Sequence, residues 1–515
     1  MKRTILIVLL TLAALGLRAQ VYVATDKSCY VAGDRIWCSV FSADGPSVAY
    51  LELISSAGPA ARTRIDLRSG RGGGSLRIPV NAPTGNYRLA AYTGPEDLSG
   101  AGPVISVFNT FSTERVPEGV EIVDEADYAA PTRMQTGYGF SAGTDGELTL
   151  QNTAGVEVSC CISLCREDSL QPAAYSSIAG FTPRNHAPMS RGETLRAVLS
   201  GTDAPAIAEA IAADTSSVRA LLAVPGAKTD CYAGTLRPDG SFHFSTENIF
   251  GNGNMVFMLD GIDPAVQCHL EPVSPFLSPS AGELPKLRIC RSQESDLLRR
   301  GASLMFETAR DTLAVTLPMR REHFFLTHEC VSYELDDYTR FPTMEEVFVE
   351  ITPNVKLRRR AGVPKIYVLM NVSVMEAIPR WGDAVVMIDG VPVLDQRLIE
   401  SYDPAIVKTV EVYPYRYEMG GKEFDGVVNL VTFKGNMPGV LFDDNVRIYD
   451  FQGCSWPENH EGGETLLWRP LVTLRPGESL SLPVGELEKG VSYVLSVEGL
   501  TVTGRPVYLR KSFVR

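Results

Sequence analysis

The residues with the most direct catalytic potential form the segment Gly139-Phe140-Ser141-Ala142-Gly143. Its pattern, G-x-S-x-G, is that of a nucleophile elbow, in which a buried strand leads into the serine and a helix follows it. Here Thr144-Asp145-Gly146 and a strand-like run follow instead. The sequence therefore favours a glycine-rich turn, and an exported hydrolase that uses Ser141 is the catalytic alternative.

A second group of reactive side chains lies between Glu322 and Cys330, where His323, His328 and Glu329 also occur. Imidazole, thiolate and carboxylate groups are ligands of zinc. The spacing is not H-E-x-x-H, and on a strand the gap of five residues puts the two histidines on opposite faces. We therefore predict no metal site here. We also expect no cofactor, since the chain has no glycine loop of the kind that binds phosphate.

Three charged clusters are typical of surface features. The adjacent acids Asp336-Asp337 and Asp443-Asp444 would point apart on a strand, which favours loop caps over a general acid–base pair. The basic run from Lys356 to Arg360 is suited to lipid head groups or to an acidic partner, but a solvated surface after a proline turn is favoured. We predict no catalytic residues in these clusters.

The strongest local fold signal runs from Ala384 to Lys434. Apolar runs on both sides of Asp389-Gly390 predict a β-hairpin, because both turn residues tolerate positive φ. The pattern after the hairpin predicts a short amphipathic helix, a strand with one buried face, a glycine turn and a last strand. These elements are Asp395 to Tyr402, Val407 to Tyr413, Gly420-Gly421 and Val427 to Phe433.

This segment resembles the plug domain of TonB-dependent outer-membrane receptors. The resemblance rests on the run from Val386 to Val393 and on a set of later residues. The motif residues are Asp389, Gly390, Glu411, Gly420, Gly421, Gly426 and Asn429. A receptor plug sits inside a large barrel, whereas 81 residues follow Lys434 in the 515-residue sequence. Because a membrane strand needs roughly 9–11 residues plus turns, we expect a plug-like fold without its barrel and without transport activity.

The region from Val21 to about Ser112 predicts a β-sandwich. It opens with Asp26-Lys27-x-x-Tyr30-x-x-Gly33-Asp34 and closes with the strand Gly85 to Thr93. Both patterns resemble the second macroglobulin-type (MG2) domain of α-macroglobulins, in which D-K-x-x-Y-x-x-G-[DE] and G-x-Y-x-L-x-x-Y-T recur. The thioester motif of that family, C-G-E-Q, is absent. The resemblance therefore implies the sandwich fold and, as an alternative function, protease binding without covalent trapping.

The N-terminus has the pattern of a secretory signal peptide. Lys2 and Arg3 precede an apolar run from Ile5 to Leu17, and Ala19 precedes the expected cleavage point. No other apolar run approaches the length of a membrane-spanning helix. The net charge of −13 argues against binding to nucleic acid. We expect an exported protein of a Gram-negative cell, in the periplasm or associated with the outer membrane or cell surface.

Ten cysteines in an exported chain permit disulfides. Cys29 and Cys38 flank Gly33-Asp34 on adjacent predicted strands. A disulfide between them and a role as small buried hydrophobes are both open. The connectivity of the other cysteines cannot be read from their spacing.

The 45 glycines, 33 prolines and many short Val/Thr/Tyr-rich runs predict a mainly β fold of tandem Ig/macroglobulin-like sandwiches plus a small α+β plug-like domain. Three further helices are predicted, one from Pro205 to Ala213, one from Asp296 to Phe306 and one that begins at the capping box Thr343/Glu346. The predicted boundaries are 1–19 for the signal peptide, 20–112 for the MG2-like sandwich, 113–136 for a linker, 137–263 for a second sandwich, 264–335 for a connector, 336–436 for the plug-like domain and 437–515 for a C-terminal sandwich-like domain.

The sequence favours a non-enzymatic cell-envelope protein. In this interpretation the sandwiches act as spacers, and the plug-like domain contacts a protein partner in the outer membrane or at the cell surface. The hydrolase with Ser141 and the protease-binding protein without a thioester are the alternatives.

Overall fold

The chain forms three β-sandwiches and one smaller α+β unit, which confirms the predicted mainly β fold class. The computed structural model describes residues 21–42, 47–95, 102–110, 117–128, 137–144, 147–173, 175–183, 192–226, 230–313, 330–370 and 380–515. The predicted signal peptide, 1–19, lies outside the described residues. A search of the described helices finds none with the length and apolar character of a membrane span.

Strands dominate the order of elements. The first part of the chain contains β1 (Val21–Thr25), β2 (Cys29–Val31), β3 (Arg35–Ser42), β4 (Val48–Ser55), β5 (Gly58–Asp66), β6 (Arg71–Arg77), β7 (Gly85–Tyr92), β8 (Val104–Phe108), β9 (Val120–Ile122), β10 (Gly137–Tyr138), β11 (Phe140–Gly143), β12 (Thr149–Asn152) and β13 (Val158–Arg166). The next part contains β14 (Glu193–Ser200), α1 (Ala204–Ala213), β15 (Arg219–Val224), β16 (Asp230–Ala233), β17 (Thr235–Leu236), β18 (Phe242–Thr246), β19 (Asn252–Asp260), β20 (His269–Val273), β21 (Leu287–Ile289) and α2 (Glu294–Leu313).

The plug-like region and the C-terminal region complete the order. The former contains β22 (Val331–Glu334), α3 (Met344–Glu350), β23 (Val355–Arg360), β24 (Val363–Leu369), β25 (Trp381–Asp383), β26 (Val385–Ile388), β27 (Val391–Pro392), α4 (Arg397–Ser401), β28 (Val407–Met419) and β29 (Lys422–Thr432). The latter contains β30 (Val446–Gln452), β31 (Cys454–Ser455), β32 (Thr465–Leu474), β33 (Ser479–Ser481), β34 (Ser492–Thr501) and β35 (Pro506–Val514).

The first sandwich packs the sheet β1-β3-β6 against the sheet β2-β8-β7-β4-β5-β31. Ile36, Leu51 and Tyr87 are among the residues of its apolar core. Strand β3 is apolar on both faces, because its other face places Trp37 and Phe41 against the third sandwich. A strand that is buried on both sides reads as a continuous hydrophobic run rather than as an alternation.

Strand pairing does not follow the predicted boundaries 137–263 and 437–515. Strand β13 lies between β32 and β34 in the sheet β10-β35-β34-β13-β32, and β11-β12-β33 covers the other side of that third sandwich. The second sandwich pairs β17-β18-β14-β20 with β16-β15-β19-β30. The chain end thus supplies strands to both sandwiches, because neither region alone has enough strands to cover its apolar faces.

The predicted linker and connector also contribute strands. Strand β9, within the predicted linker 113–136, pairs in parallel with β21. Strand β20, within the predicted connector 264–335, pairs with β14 and belongs to the second sandwich. Residues 120–122 of the predicted linker and residues 269–273 and 287–289 of the predicted connector are therefore held in sheets.

The α+β unit contains the elements that the sequence predicted between Ala384 and Lys434. Strands β26 and β27 form the hairpin, with φ values of 48° at Asp389 and 79° at Gly390. Helix α4 follows, and β28 and β29 form the long final pair. The predicted helix start at Thr343 is also present, since the Glu346 N–H donates to Thr343 Oγ1 at 3.2 Å at the start of α3. The reciprocal bond of a capping box is not formed, because the Glu346 carboxylate accepts from the Thr343 hydroxyl instead.

This unit shares an apolar core with the second sandwich. Leu221, Met258 and other buried residues of β15 and β19 lie in the same cluster as Val386, Val412 and Val428 of the unit. The sheet of β15 and β19 is therefore covered on both faces, once by its own sandwich and once by the α+β unit. Such an interface resembles a domain core more than a transient contact.

We predict that the chain end and β13 unfold together. Leu495→Ala on β34, which removes a fully buried side chain opposite Leu164, should cost about 2–5 kcal/mol of unfolding free energy because a cavity replaces packed atoms. Hydrogen exchange should then quicken in residues 158–166 as well as in 492–501.

The matched control is Leu471→Ala on β32, whose side chain is 48% exposed. It should change stability by less than about 0.5 kcal/mol, as exposed substitutions usually do. Faster exchange confined to residues 437–515 in Leu495→Ala would contradict the interleaved sheet.

Candidate functional site

The D-K-x-x-Y-x-x-G-D segment folds around the buried carboxylate of Asp26. The Tyr30 hydroxyl and the Trp37 N–H donate to Asp26 Oδ1 at 2.7 and 3.1 Å. The Thr465 hydroxyl donates to Asp26 Oδ2 at 2.5 Å, and the Ser163 hydroxyl donates to the Asp26 carbonyl oxygen at 2.6 Å. Asp26 therefore fastens the first sandwich to β32 and β13 of the third sandwich.

Lys27 places a buried positive charge beside this carboxylate. Its Nζ lies 3.6 Å from Asp26 Oδ2 and 3.5 Å from Asp34 Oδ2. Burial opposes the charged ammonium, but the carboxylates of Asp34 and Asp26 outweigh it and raise the pKa of Lys27. The ammonium also lies 4.8 Å from the centre of the Tyr30 ring. The motif is therefore a buried ion cluster whose charges compensate one another.

A cavity of about 410 Å³ opens beside this cluster, between the first sandwich, the third sandwich and α2. Its lining includes Lys27 and Cys29 from the first sandwich, Arg300 from α2 and Glu498 from β34. Groups of both charges face the space, so its walls do not select a ligand of one sign.

Two arginines of α2 tie the helix to the walls of the cavity. Arg300 Nε donates to Asp168 Oδ2 at 2.6 Å, and Arg300 Nη1 donates to the Cys29 carbonyl oxygen at 2.5 Å. Arg299 donates to Asp168 Oδ2 at 3.1 Å and also pairs with Glu464. Both guanidinium groups are thus engaged in holding the helix in place.

Glu498 lines this cavity, and its carboxyl group has a raised pKa. The Tyr22 hydroxyl lies 3.0 and 2.9 Å from its two carboxyl oxygens, and the Ile178 N–H donates to Oε1 at 3.1 Å. Burial raises the pKa of Glu498 to about 7, and these donors offset the effect only in part. The contact between β1 and β34 therefore depends on a proton that titrates near neutral pH.

The predicted hairpin turn is organised by Asp389, whose side chain is fully buried. Asp389 Oδ1 accepts from the Thr432 N–H at 2.7 Å, and Oδ2 accepts from the Thr432 hydroxyl at 2.6 Å and the Met437 N–H at 2.8 Å. One side chain thus joins the turn to the end of β29 and to the loop beyond it.

Asn429 extends the same network to the next strand. Its Oδ1 accepts from the Gly390 N–H at 3.0 Å, and its Nδ2 donates to Glu411 Oε2 at 3.0 Å. The Tyr413 hydroxyl donates to that same Glu411 oxygen at 3.1 Å. Four residues of the predicted plug-like motif, namely Asp389, Gly390, Glu411 and Asn429, are therefore neighbours in space.

The motif glycines have separate steric roles. Gly420 and Gly421, with φ values of 60° and 78°, form the turn between β28 and β29. Gly426 has a φ of 111°, and a Cβ there would lie 2.8 Å from Val368 Cβ. Only glycine allows β29 to pass this close to β24.

The turn also holds the α+β unit against the second sandwich. The Gly226 N–H donates to the Asp389 carbonyl oxygen at 2.9 Å. At the other end of the unit, Cys231 Sγ lies 3.2 Å from Met419 Sδ. The motif residues therefore act in folding and docking, and their polar groups are used within the protein.

The candidate nucleophile Ser141 lies on a strand, and of the candidate metal ligands only Cys330 is among the described residues. Ser141 is exposed on β11, where it pairs with Gln151 of the antiparallel neighbour β12. This geometry is not the strand–turn–helix of a nucleophile elbow. His323 and His328 lie outside the described residues, and no group of three metal-ligating side chains occurs within those that are described.

Of the two roles left open for Cys29 and Cys38, the disulfide is not formed. All ten cysteines lie in the described part of the chain and carry thiols. Cys38 Sγ donates to the Gly74 carbonyl oxygen at 3.4 Å in the core of the first sandwich, whereas Cys29 packs against Phe108 in another cluster. Their side chains face different cores, so the role of small buried hydrophobes applies.

The charged clusters of the sequence are on the surface. Asp336 pairs with Arg340, and Asp444 pairs with Arg447 at 2.7 Å. The basic run follows a turn at Pro353, forms β23 and exposes Lys356, Arg358, Arg359 and Arg360 to solvent.

Sequence reasoning missed Glu498, Tyr22 and Arg300. Each is isolated in the sequence, and only the approach of β1, β34 and α2 makes them neighbours. The available signal was the glutamate at position 498 within an otherwise apolar strand, because a glutamate is rarely buried in a protein core without a partner.

Comparison with protein-family models finds no match, and comparison with curated proteins finds none either. Solved structures of bacterial α-2-macroglobulins are found. The native Escherichia coli protein shares 10% identity with a TM-score of 0.24, and the match covers 97% of this chain and 40% of that one. The trypsin-activated form from Escherichia coli shares 10% identity with a TM-score of 0.22, over 96% of this chain and 41% of that one. Salmonella α-2-macroglobulin reacted with methylamine gives 9%, 0.14, 96% and 23%.

This chain spans less than half of the length of these neighbours. TM-scores this low carry no argument about the arrangement of domains or about activity. The macroglobulin-type resemblance and the plug resemblance both stay predictions.

We predict that Asp389→Ala lowers the unfolding free energy by about 2–5 kcal/mol, because it leaves three buried donors without an acceptor and puts alanine at positive φ. Asp389→Asn, which keeps one accepting oxygen and tolerates this φ, should lose less. Denaturant unfolding of the full chain measures both.

The control for this series is Asp443→Ala at an exposed position. Its expected change is below about 0.5 kcal/mol. Equal midpoints for Asp389→Ala and Asp443→Ala would show that the turn network is not stabilising.

We predict that Glu498 makes stability depend on pH. Its pKa of about 7 in the folded state exceeds the ordinary 4.5, so the folded state holds the extra proton between these values and stability falls as pH rises through them. Relative to Glu498→Gln, the natural protein should lose up to about 3 kcal/mol between pH 4.5 and pH 7.5.

Unfolding midpoints at these two pH values measure this difference. The exposed Glu486→Gln control should show the pH dependence of the natural protein. A constant gap between the natural protein and Glu498→Gln would refute the raised pKa.

Proposed function

We propose that this protein is a non-enzymatic component of the cell envelope that presents its plug-like α+β unit to a protein partner in the outer membrane or at the cell surface. The sandwiches act as a rigid support, and the unit makes the specific contact. Transport is not part of this function. The protein is exported in this proposal, in keeping with the signal-peptide pattern of residues 1–19.

The observation that carries the proposal is the way in which the plug-like unit is anchored. Its motif residues Asp389 and Asn429 form hydrogen bonds that stabilise the hairpin turn. From the second sandwich, the Gly226 N–H donates to the Asp389 carbonyl oxygen of that turn. The apolar core continues across the same boundary. A unit held in this way is immobile against its support, while the sheet β23-β24-β25 on its other side faces solvent.

The support itself is joined by buried polar contacts. Asp26 connects the first sandwich to the third, and β30 and β32 connect the second and third through one continuous chain segment. A partner bound to the plug-like unit would therefore be held at a fixed position relative to all three sandwiches. Such pre-organisation lowers the entropy cost of binding.

The two alternatives have less support. A hydrolase with Ser141 lacks the elbow geometry, and Ser141 Oγ has Gln151 Oε1 as its neighbour at 3.4 Å. For a macroglobulin-like protease-binding protein, no feature of the described residues favours a bait segment.

Site-specific photo-crosslinking in intact cells tests the proposal. A photoreactive residue replaces one exposed side chain at a time on three sides of the plug-like unit: Tyr338, Val349 and Val363. From at least one of these positions we expect a covalent adduct in the envelope fraction. Its mass should exceed that of the protein by the same amount in every repeat, as a single partner requires. The corresponding control positions, exposed on the three sandwiches, are Val80, Val198 and Val502.

Adducts of equal yield from sandwich and plug-like positions would contradict selective presentation. No adduct from any position on the unit, in cells where the protein is found in the envelope fraction, would refute the proposal. Fractionation and protease treatment of intact cells report the compartment in the same experiment.

A further inference from the structure

The basic run that the sequence places at 356–360 becomes one edge of a three-stranded antiparallel sheet. Strand β23 pairs with β24 so that Lys356 is opposite Tyr367 and Arg358 is opposite Lys365, and β24 pairs with β25 so that Leu369 is opposite Trp381. Because side chains alternate along a strand, these residues share one face.

The opposite face of this sheet is buried. Val355, Ile366 and Val368 are at most 2% exposed and belong to the core shared with the second sandwich. The first face is therefore turned to solvent, and we call it the basic face. It consists of Lys356, Arg358, Arg360, Val363, Lys365, Tyr367, Leu369, Trp381 and Asp383.

The charge of the basic face is opposite to that of the chain. It carries four cations and one carboxylate, whereas the whole sequence has a net charge of −13. In the described part of the chain, Lys365 alone among the four has a carboxylate partner, Asp383 Oδ2 at 3.1 Å. Lys356, Arg358 and Arg360 are exposed and have their charges available.

Aromatic rings hold two of these cations in place. Lys356 Nζ lies 3.8 Å from the centre of the Trp381 ring, and Arg358 Cζ lies 5.9 Å from that of Tyr367. A cation that rests on an aromatic face keeps its charge and loses part of its rotamer freedom before any partner arrives. The face is thus pre-organised for anionic groups.

Strand β23 is also an outer strand of its sheet, and the described residues place no further strand beside it. The Leu369 N–H donates to the Asn354 carbonyl oxygen at 2.9 Å. By the alternation of antiparallel pairs, residues 356, 358 and 360 use their backbone groups toward β24, whereas Leu357 and Arg359 direct theirs to the open edge. An extended chain can pair with these groups.

We infer that the edge of β23 binds an extended acidic peptide segment of a partner protein as an additional strand. The segment carries carboxylates at every second position, and these lie beside Lys356, Arg358 and Arg360. Cations two residues apart on a strand are roughly 6.6 Å apart, and a neighbouring strand repeats its side chains at the same interval. This inference rests on the proposed function and names the chemistry of the partner.

A peptide fits better than a membrane surface. Binding to anionic lipid takes clusters of roughly 4–8 basic residues, usually with apolar side chains that insert. Here three available cations follow one strand, and Val363 is the only apolar residue of the face that is largely exposed. Backbone pairing supplies affinity in strand addition, and alternate side chains supply selectivity.

The test uses the purified mature chain and two labelled peptides of one composition. The first, Thr-Glu-Thr-Glu-Thr-Glu-Thr, has acids at alternate positions, and the second, Thr-Thr-Glu-Glu-Glu-Thr-Thr, has them in a block. We expect fluorescence anisotropy to give at least about tenfold tighter binding for the alternating peptide. All three of its acids lie on the face of the cations, whereas adjacent acids in the second peptide point to opposite faces. Methylation of the backbone nitrogens of its threonines should abolish binding although the charge is unchanged.

A double variant tests the face itself. Arg358→Ala with Arg360→Ala should weaken the alternating peptide about tenfold. Lys408→Ala with Lys434→Ala, at exposed positions of the same unit, changes the net charge equally and should leave its affinity within about twofold.

Equal affinities of the two peptides, or equal losses in the two double variants, would show unspecific attraction and overturn the inference. Binding to vesicles of phosphatidylglycerol and phosphatidylcholine without binding of either peptide would assign the face to a membrane and also overturn it. If neither peptide binds but photo-crosslinked adducts still form from Tyr338 or Val349 in cells, this inference is refuted and the proposed function is not.

Discussion

Strand β13 depends on the last fifty residues of the chain for the hydrogen bonds of its backbone. It lies between β32 and β34, so both of its edges are paired with strands that follow it by some three hundred residues. A buried strand cannot leave its N–H and C=O groups unpaired without a cost of several kcal/mol. The third sandwich therefore depends on the pairing of β32 and β34 with β13. The second sandwich depends in the same way on β30, which pairs with β19.

Buried acids fasten this arrangement in three different ways. Asp26 is compensated by Lys27 and by hydroxyl donors from the third sandwich. Asp389 has no cation beside it among the described contacts and is held by two backbone N–H groups and one hydroxyl. Glu498 has a tyrosine hydroxyl and one N–H, and burial dominates, so its pKa rises. The three carboxyl groups thus differ in the number and charge of the donors that surround them.

The plug-like unit is connected to the support on one side and is open on the other. Its inner surface continues the core of the second sandwich, and its outer sheet carries cations that aromatic rings hold in place. Asp389 and Asn429 are polar yet buried because their hydrogen bonds are made within the unit, where they join the hairpin turn to β28, to β29 and to the loop after β29.

The sequence by itself determined the local elements. Asp389-Gly390, the N-cap Thr343 and the glycine pair at 420–421 specify their turns and caps through backbone preferences that act within a few residues. The run from Val407 to Tyr413 specified a strand in the same way, although the structure buries residues on both of its faces rather than on one. The mainly β class followed from many such local signals.

Only the tertiary structure decided which strands are partners. Nothing in residues 158–166 distinguishes a partner at 230 from one at 495, because backbone hydrogen bonds are the same for every strand and apolar side chains pack with any complementary surface. For this reason the predicted boundary at 437 did not match the sheets, the role of Cys29 and Cys38 stayed open, and Glu498 and the aromatic neighbours of the basic run went unnoticed. Their neighbours come from distant strands, and pairing between distant strands is selected by the fit of whole faces.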